Sequence, residues 1–136
     1  MRDERGSASL ELVLLTPALV LLLLLVAAGG RLEQARGQLD GTAREAARAA
    51  SIARSAPNAE SDAQALATQR LGDEGITCAD LSVATDTSNF RAGGFVTTTV
   101  SCRVDLSDLF GLALPGSRTM TATATEPIDV YRRSGP

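Results

Sequence analysis

Hydrophobic and polar positions divide the chain into three regimes. The first is a continuous apolar run. From Leu12 to Ala28 there is no charged residue, and the run from Leu10 to Gly30 is broken only by Glu11 near its start. A bilayer core of about 30 Å needs roughly 20 helical residues, and this run supplies them if Glu11 lies at an interface. Leu21 to Leu25 is its most apolar part. Pro17 sits inside it, removes one backbone hydrogen bond and bends the helix. Membrane helices tolerate such a residue, and Thr16 can re-satisfy a freed carbonyl. In the second regime, Arg31 to Ser55, the period is helical. Leu32, Leu39, Ala46 and Ala53 recur every seven residues, and Ala35, Ala43 and Ala50 run beside them. Arg36, Arg44, Glu45 and Arg48 occupy other faces. Such a thin alanine stripe permits close approach, either to helices of neighbouring subunits or to the chain's own sheet. Gly37 and Gly41 weaken this helix by about 1 kcal/mol each relative to Ala and make a bend plausible. Pro57 is expected to end it. A second helix then runs to about Leu71, capped by Asn58 or Ser61 and closed by Gly72 and Gly75, with Ala63, Leu66, Ala67 and Leu71 as its apolar face.

From Ile76 the period changes to two. In Phe95–Leu106 one face carries Val96, Thr98, Val100, Cys102, Val104 and Leu106, and the other carries Thr97, Thr99, Ser101, Arg103 and Asp105. An earlier strand is expected over Ile76–Thr85. Its phase slips between Cys78 and Leu81, which indicates a bulge or a late start. The stretch SNFRAGG supplies the turn. In DLSDLFGLALPG a loop with a helical turn is expected to insert Leu109, Phe110 and Leu112 into the core. A third strand follows over Arg118–Thr125, with Met120, Ala122 and Ala124 inward. The fold class is therefore α+β: an N-terminal apolar helix continuing into an amphipathic one, a second short helix, and a three-stranded antiparallel meander with helices on one face. The expected segments are a transmembrane helix over 7–30, an extracytoplasmic helical region over 31–72, and a small β region over 73–136.

The 136 residues suit one ordinary domain, and part of that length goes into the apolar run. Aromatics make up 3 % and Trp is absent, so the core must come from Ala, Val, Leu and Ile. The net charge is −3 with no basic patch, which argues against nucleic acid as a partner. The chain has no His, which removes the commonest general base and metal ligand. Cys78 and Cys102 are too few for a structural zinc site. In a chain with an export-type segment they read as one disulfide, with two buried thiols as the alternative. Asp73–Glu74 and Asp105–Asp108 read as solvated turn charges, and Gly93–Gly94 as a turn. No catalytic, cofactor or metal site emerges, and no small-molecule substrate is implied.

Three readings of the N-terminal run compete. A cleaved signal peptide could end at Val26-Ala27-Ala28, but Asp3 and Glu4 cancel the charge of Arg2 and Arg5. A plain signal anchor gains little from the positive-inside rule, because Arg2 and Arg5 face Arg31 and Arg36. Neither explains Glu11. Gly6, then Ser7, with Glu11 the fifth residue after the glycine, resembles the type IV prepilin signal. The resemblance implies a leader of residues 1–6 removed by a prepilin peptidase between Gly6 and Ser7. A carboxylate costs about 2.5–3.5 kcal/mol at the centre of a membrane helix and less near an interface and a helix N-terminus. Paired with the Ser7 amine of a neighbour, Glu11 would favour assembly; the alternative is a residue that snorkels to water.

The opening RGSASLELVLLTPALVLLLLL, with Glu11 and Pro17 as placed, the chain's size, and the closing ATEPIDVYRR resemble TadE-like proteins, the minor pseudopilins of Tad/Flp pilus systems. That resemblance implies a structural or assembly component in adhesion, not an enzyme. It would be anchored in the cytoplasmic membrane by a single pass, with its N-terminus cytoplasmic and its C-terminal domain outside. Its partners would be prepilin peptidase and other pilin or pseudopilin subunits. The alternative is a secreted or membrane-anchored binding module with a conventional signal peptide or signal anchor.

Overall fold

A computed structural model describes residues 4–132, apart from the side chains of residues 4, 5 and 7. The chain forms two compact units, Met1–Glu33 and Gln34–Pro136. The first helix, α1 (Glu4–Ile52), contributes to both, and neither Pro17 nor the glycine pairs 29–30 and 37/41 interrupt it.

In the second unit α1 ends at Ile52, and α2 (Ala56–Asp73) follows after three residues. Pro57 therefore opens α2 rather than closing α1. Its fixed φ suits the first helical turn, where a missing N–H costs nothing. The cap is Ser55, not Asn58 or Ser61: its hydroxyl accepts from the Asn58 N–H at 3.4 Å. At the other end Gly75 has φ +71 and closes the helix, with the Ile76 N–H donating to Leu71 O at 2.9 Å.

Three strands complete the unit: β1 (Asp80–Asp86), β2 (Phe95–Asp105) and β3 (Ser117–Pro127). They form an antiparallel sheet in the order β1-β2-β3. In register, Leu81 faces Cys102, and Cys102 faces Met120. β1 starts later than Ile76, so Leu81, Val83 and Thr85 turn inward while Cys78 stays outside the strand. Leu106 opens a five-residue helix, α3 (Leu106–Phe110), instead of extending β2. The expected insertion of the following loop is only partial. Leu109 and Phe110 are half-buried, whereas Leu112 is 61 % exposed.

The core is built from the inner sheet face and the small residues of two helices. Val96, Val100, Cys102, Val104, Met120 and Ala122 meet Leu39, Ala43, Ala46, Ala47 and Ala50 of α1 and Ala59, Ala63, Ala67 and Leu71 of α2, all buried. The alanine stripe of α1 is thus covered within its own unit. Buried hydroxyls are satisfied locally: Thr42 donates to Gln38 O at 2.9 Å, Ser51 donates to Arg48 O at 2.8 Å, and Thr98 shares a 3.4 Å bond with Thr85. On the outer face hydroxyls pair across strands, Thr97 with Thr125 at 2.9 Å, Thr99 with Thr123 at 3.1 Å and Ser101 with Thr121 at 3.1 Å.

Two ties fix the periphery. Glu45 of α1 pairs with Arg70 of α2 at 2.7 Å. Arg132, after β3, donates to the α1 carbonyls of Ser51 and Ile52 at 2.6 and 2.7 Å and lies 5.6 Å from the Phe90 ring centroid. A cation there satisfies orphan carbonyls at the negative end of the helix. In the β1–β2 turn the Ser88 N–H donates to the Asp86 carboxylate at 2.9 Å, which holds that carboxyl below its ordinary range. In the same turn a Cβ on Gly94 would overlap the Asn89 carbonyl oxygen.

Candidate functional site in the amino-terminal helix

The sequence points to Gly6, Ser7, Glu11 and Pro17, and the structure places all four on α1. Their surroundings are set by what the helix lacks. Every large apolar residue from Leu10 to Val26 is exposed, from 48 % at Val20 to 72 % at Leu25. Apolar side chains thus surround this part of the helix without a partner among the described residues. A helix apolar on all sides is a membrane span or is enclosed by other protein. By length and composition α1 contains one candidate span, none of it buried.

Gly6 is exposed, and a Cβ there would meet nothing within 4 Å. Its use therefore does not lie in packing against the described residues. Ser7 follows it, and Glu11 stands four residues beyond Ser7, on the same helical face. Glu11 is exposed, and among the described residues no cation or hydrogen-bond donor holds it. A carboxylate at the start of an apolar run has two ways to lower its desolvation cost: water at an interface, or a cation from another chain.

Around Pro17 the geometry differs from expectation. Pro17 has no N–H, so the carbonyl of Val13, four residues earlier, loses its usual donor. The Thr16 hydroxyl does not take over that carbonyl; it bonds Leu12 O at 2.7 Å. Val13, Thr16, Pro17, Val20 and Leu21 then line a shallow apolar notch. Their spacing of three and four residues puts them on one face, a signal legible in the sequence but not singled out there.

The two cysteines lie in the second unit, away from this segment in sequence, and are joined. Cys78 and Cys102 form a disulfide with a Cα–Cα distance of 5.3 Å. Cys102 is fully buried on β2, and Cys78 sits on the connection between α2 and β1. The bridge therefore ties the lead-in to the sheet's central strand rather than joining two strands. Among the described residues no group of three or more Cys, Asp or Glu could hold a metal ion.

The model of the TadE-like protein family matches residues 6–48. Residues 6–48 are TadE-like. The match begins at Gly6, takes in Glu11, Pro17 and the apolar run, and ends inside α1, so it covers less than half of the chain. It supports a protein of Tad pilus systems, associated with a membrane. No curated protein and no solved structure matches the chain. The match thus takes in the apolar part of α1 and the first residues of the second unit, and stops before α2.

Proposed function

We propose that this protein is a minor pseudopilin of a Tad/Flp pilus, a structural or assembly component rather than an enzyme. The observation that carries the proposal is what the TadE-like match takes in. It begins at Gly6 and covers Glu11, which no described residue pairs, and the apolar stretch of α1 whose large side chains from Leu10 to Val26 are all exposed. In this reading prepilin peptidase cuts between Gly6 and Ser7. The helix from Ser7 holds the protein in the cytoplasmic membrane with its α+β unit outside. The amine freed on Ser7 of one subunit meets Glu11 of a neighbour. Such a pair relieves the cost of a carboxylate in a low-dielectric surrounding and favours association over free diffusion. An extracytoplasmic α+β unit also fits the disulfide, because such bonds persist in oxidising compartments.

The mass of the mature N-terminus in a cell carrying the Tad peptidase tests this. A chain beginning at Ser7 is expected. A start at Gly29 would assign the run to a conventional signal peptide, and an intact Met1 would leave a plain anchor; either result refutes the proposal. A Gly6→Leu variant should keep its leader, because a bulky residue replaces the glycine on the acyl side of the scissile bond. Normal maturation of that variant would also count against the reading.

A further inference from the structure

β3 forms one edge of the sheet in the second unit, and among the described residues no strand pairs with its outer side. The two edges of the sheet are unlike. β1 has seven residues and carries Asp80 and Asp86 at its ends. β3 has eleven, and from Thr119 to Thr125 it holds no charge, no Gly and no Pro. Unpaired N–H and C=O groups on a long edge recruit another strand, and natural sheets guard such edges with charges, prolines or bulges. The middle of β3 has no such guard.

The phase of the ladder shows which backbone groups are free. The Leu106 N–H donates to Gly116 O at 3.0 Å and the Ile128 N–H donates to Gly94 O at 2.9 Å, each one step beyond the β2–β3 span and in its register. In an antiparallel pair such bonded positions alternate with unbonded ones, where side chains come closer. The even-numbered residues of β3 therefore bond to β2. The close hydroxyl pairs of Thr125, Thr123 and Thr121 with β2 fall at the unbonded positions, as this phase requires. Thr119, Thr121, Thr123 and Thr125 thus turn their N–H and C=O groups outward, and all four residues are exposed. Pro127 falls in the same outward phase, where its missing N–H costs the sheet no bond.

We infer that β3 pairs antiparallel with β3 of a second copy of this chain, about a two-fold axis at Ala122, joining two three-stranded sheets into one. The edge is self-complementary in that register. Thr121 faces Thr123 and Thr119 faces Thr125, all in the outward phase, so each pair exchanges backbone bonds and extends the hydroxyl rows of the outer face. On the other face Ala122 meets Ala122 and Met120 meets Ala124. At both ends Arg118 faces Glu126, and neither has an ion-pair partner among the described residues. Sliding the register by two residues sets Arg118 against Ala124 or Ile128, and a slip of one sets each face against the other. Charge thus selects one register and one occupant, the same strand run in reverse. Two-fold pairing uses each β3 once and closes, while Asp80 and Asp86 discourage growth from β1. The inference concerns the second unit alone and goes beyond the pseudopilin reading, so neither rests on the other.

Both native cysteines are bridged, so an introduced cysteine is the one free thiol. Full chains carrying Thr121→Cys or Thr123→Cys are oxidised in detergent micelles kept in excess over protein. A mixture of the two should cross-link, and each alone should do so far less. Adding Arg118→Glu to both chains sets like charges together at both ends and should weaken the pair by more than about tenfold. Arg118→Glu in one chain with Glu126→Arg in the other restores both ion pairs and should restore the cross-link. In the unaltered protein the Thr121 and Thr123 N–H groups should exchange more slowly as concentration rises, while those of β1 keep their rates. Cross-linking that ignores the charge pattern, or each cysteine variant cross-linking with itself as well as with the other, overturns the inference. So does exchange at Thr121 and Thr123 that stays constant up to the highest soluble concentration, a result that needs no variant to fold.

Discussion

Breaking the Cys78–Cys102 bridge is the most quantitative perturbation available. The cysteines are 24 residues apart in sequence, and on the chain-entropy relation closing such a loop removes unfolded-state freedom worth about 3.4 kcal/mol at 25 °C. Domains of this size have total stabilities of only about 5–15 kcal/mol, so the bridge is a large share. Reduction isolates the cross-link, since both sulfurs stay in place. Replacing both cysteines by Ala adds a truncation at Cys102, which is fully buried on β2, and should cost about 1 kcal/mol more. The apolar part of α1 is expected to stay helical in detergent, so helix content alone would report poorly. Pulse proteolysis of the full chain in micelles across a urea series reads the second unit instead. With slopes of about 1–3 kcal/mol/M for small proteins, reduction should lower the urea midpoint by about 1–3 M. Hydrogen exchange should show the same event locally, because the Ala79 N–H, one residue from the bridge, bonds Arg103 O at 2.7 Å and should lose protection first. A midpoint that moves by less than about 0.3 M on reduction would refute the reasoning, because even at the upper slope of about 3 kcal/mol/M it amounts to less than about 1 kcal/mol. So would two titratable thiols in the unreduced, denatured protein.

The remaining predictions concern packing and assembly. Gly94→Ala forces a Cβ onto the Asn89 carbonyl oxygen and should destabilise the second unit by more than about 2 kcal/mol, read as the same midpoint; a neutral result would mean that the β1–β2 turn rearranges freely. Ala47→Leu places three extra carbons at a fully buried position and should cost about 1–3 kcal/mol, whereas an unchanged midpoint would show slack in the helix–sheet packing. Glu11→Ala should leave membrane insertion and cleavage after Gly6 intact while reducing cross-links to other pilins, and Glu11→Gln should behave alike because the charge is what pairs; wild-type cross-linking in both variants would make Glu11 an interfacial bystander.

Much of this architecture is legible in the residue pattern, and the exceptions have physical causes. The alternation in residues 95–105 fixes a strand buried on one face, and the structure keeps its parity at every position from Val96 to Val104. The phase slip between Cys78 and Leu81 has a simple resolution: Cys78 precedes the strand, and a disulfide does not need strand parity. Pro57 misleads because proline both ends helices and begins them. Ser55, two residues earlier, is the cue that decides between the two, since its hydroxyl caps the helix that Pro57 opens. Leu112 was expected inside because it is apolar, yet its position between Gly111 and Gly116, both at positive φ, leaves it in a tight surface connection. For the alanine stripe, periodicity shows that one face is apolar but not what covers it; only the tertiary structure shows Ala46, Ala47 and Ala50 fully enclosed in their own unit. The N-terminal segment is the reverse case. Among the described residues nothing packs on Gly6 or pairs with Glu11, so the pattern alone carries their meaning.

The alanine-built core also bears on how stability varies with temperature. Ten of the eighteen buried apolar residues among those described are alanines. Each lost no rotamer freedom on burial and hid little hydrocarbon surface. The heat-capacity increment of unfolding grows with the apolar surface exposed, about 0.45 cal/K/mol per Å². This unit should therefore have a smaller increment than a leucine-rich domain of equal length. Its free-energy curve is correspondingly broad and shallow, with neither a steep loss on warming nor a pronounced weakening in the cold. Covalent closure, helix capping and hydroxyl-paired strands supply what hydrocarbon does not.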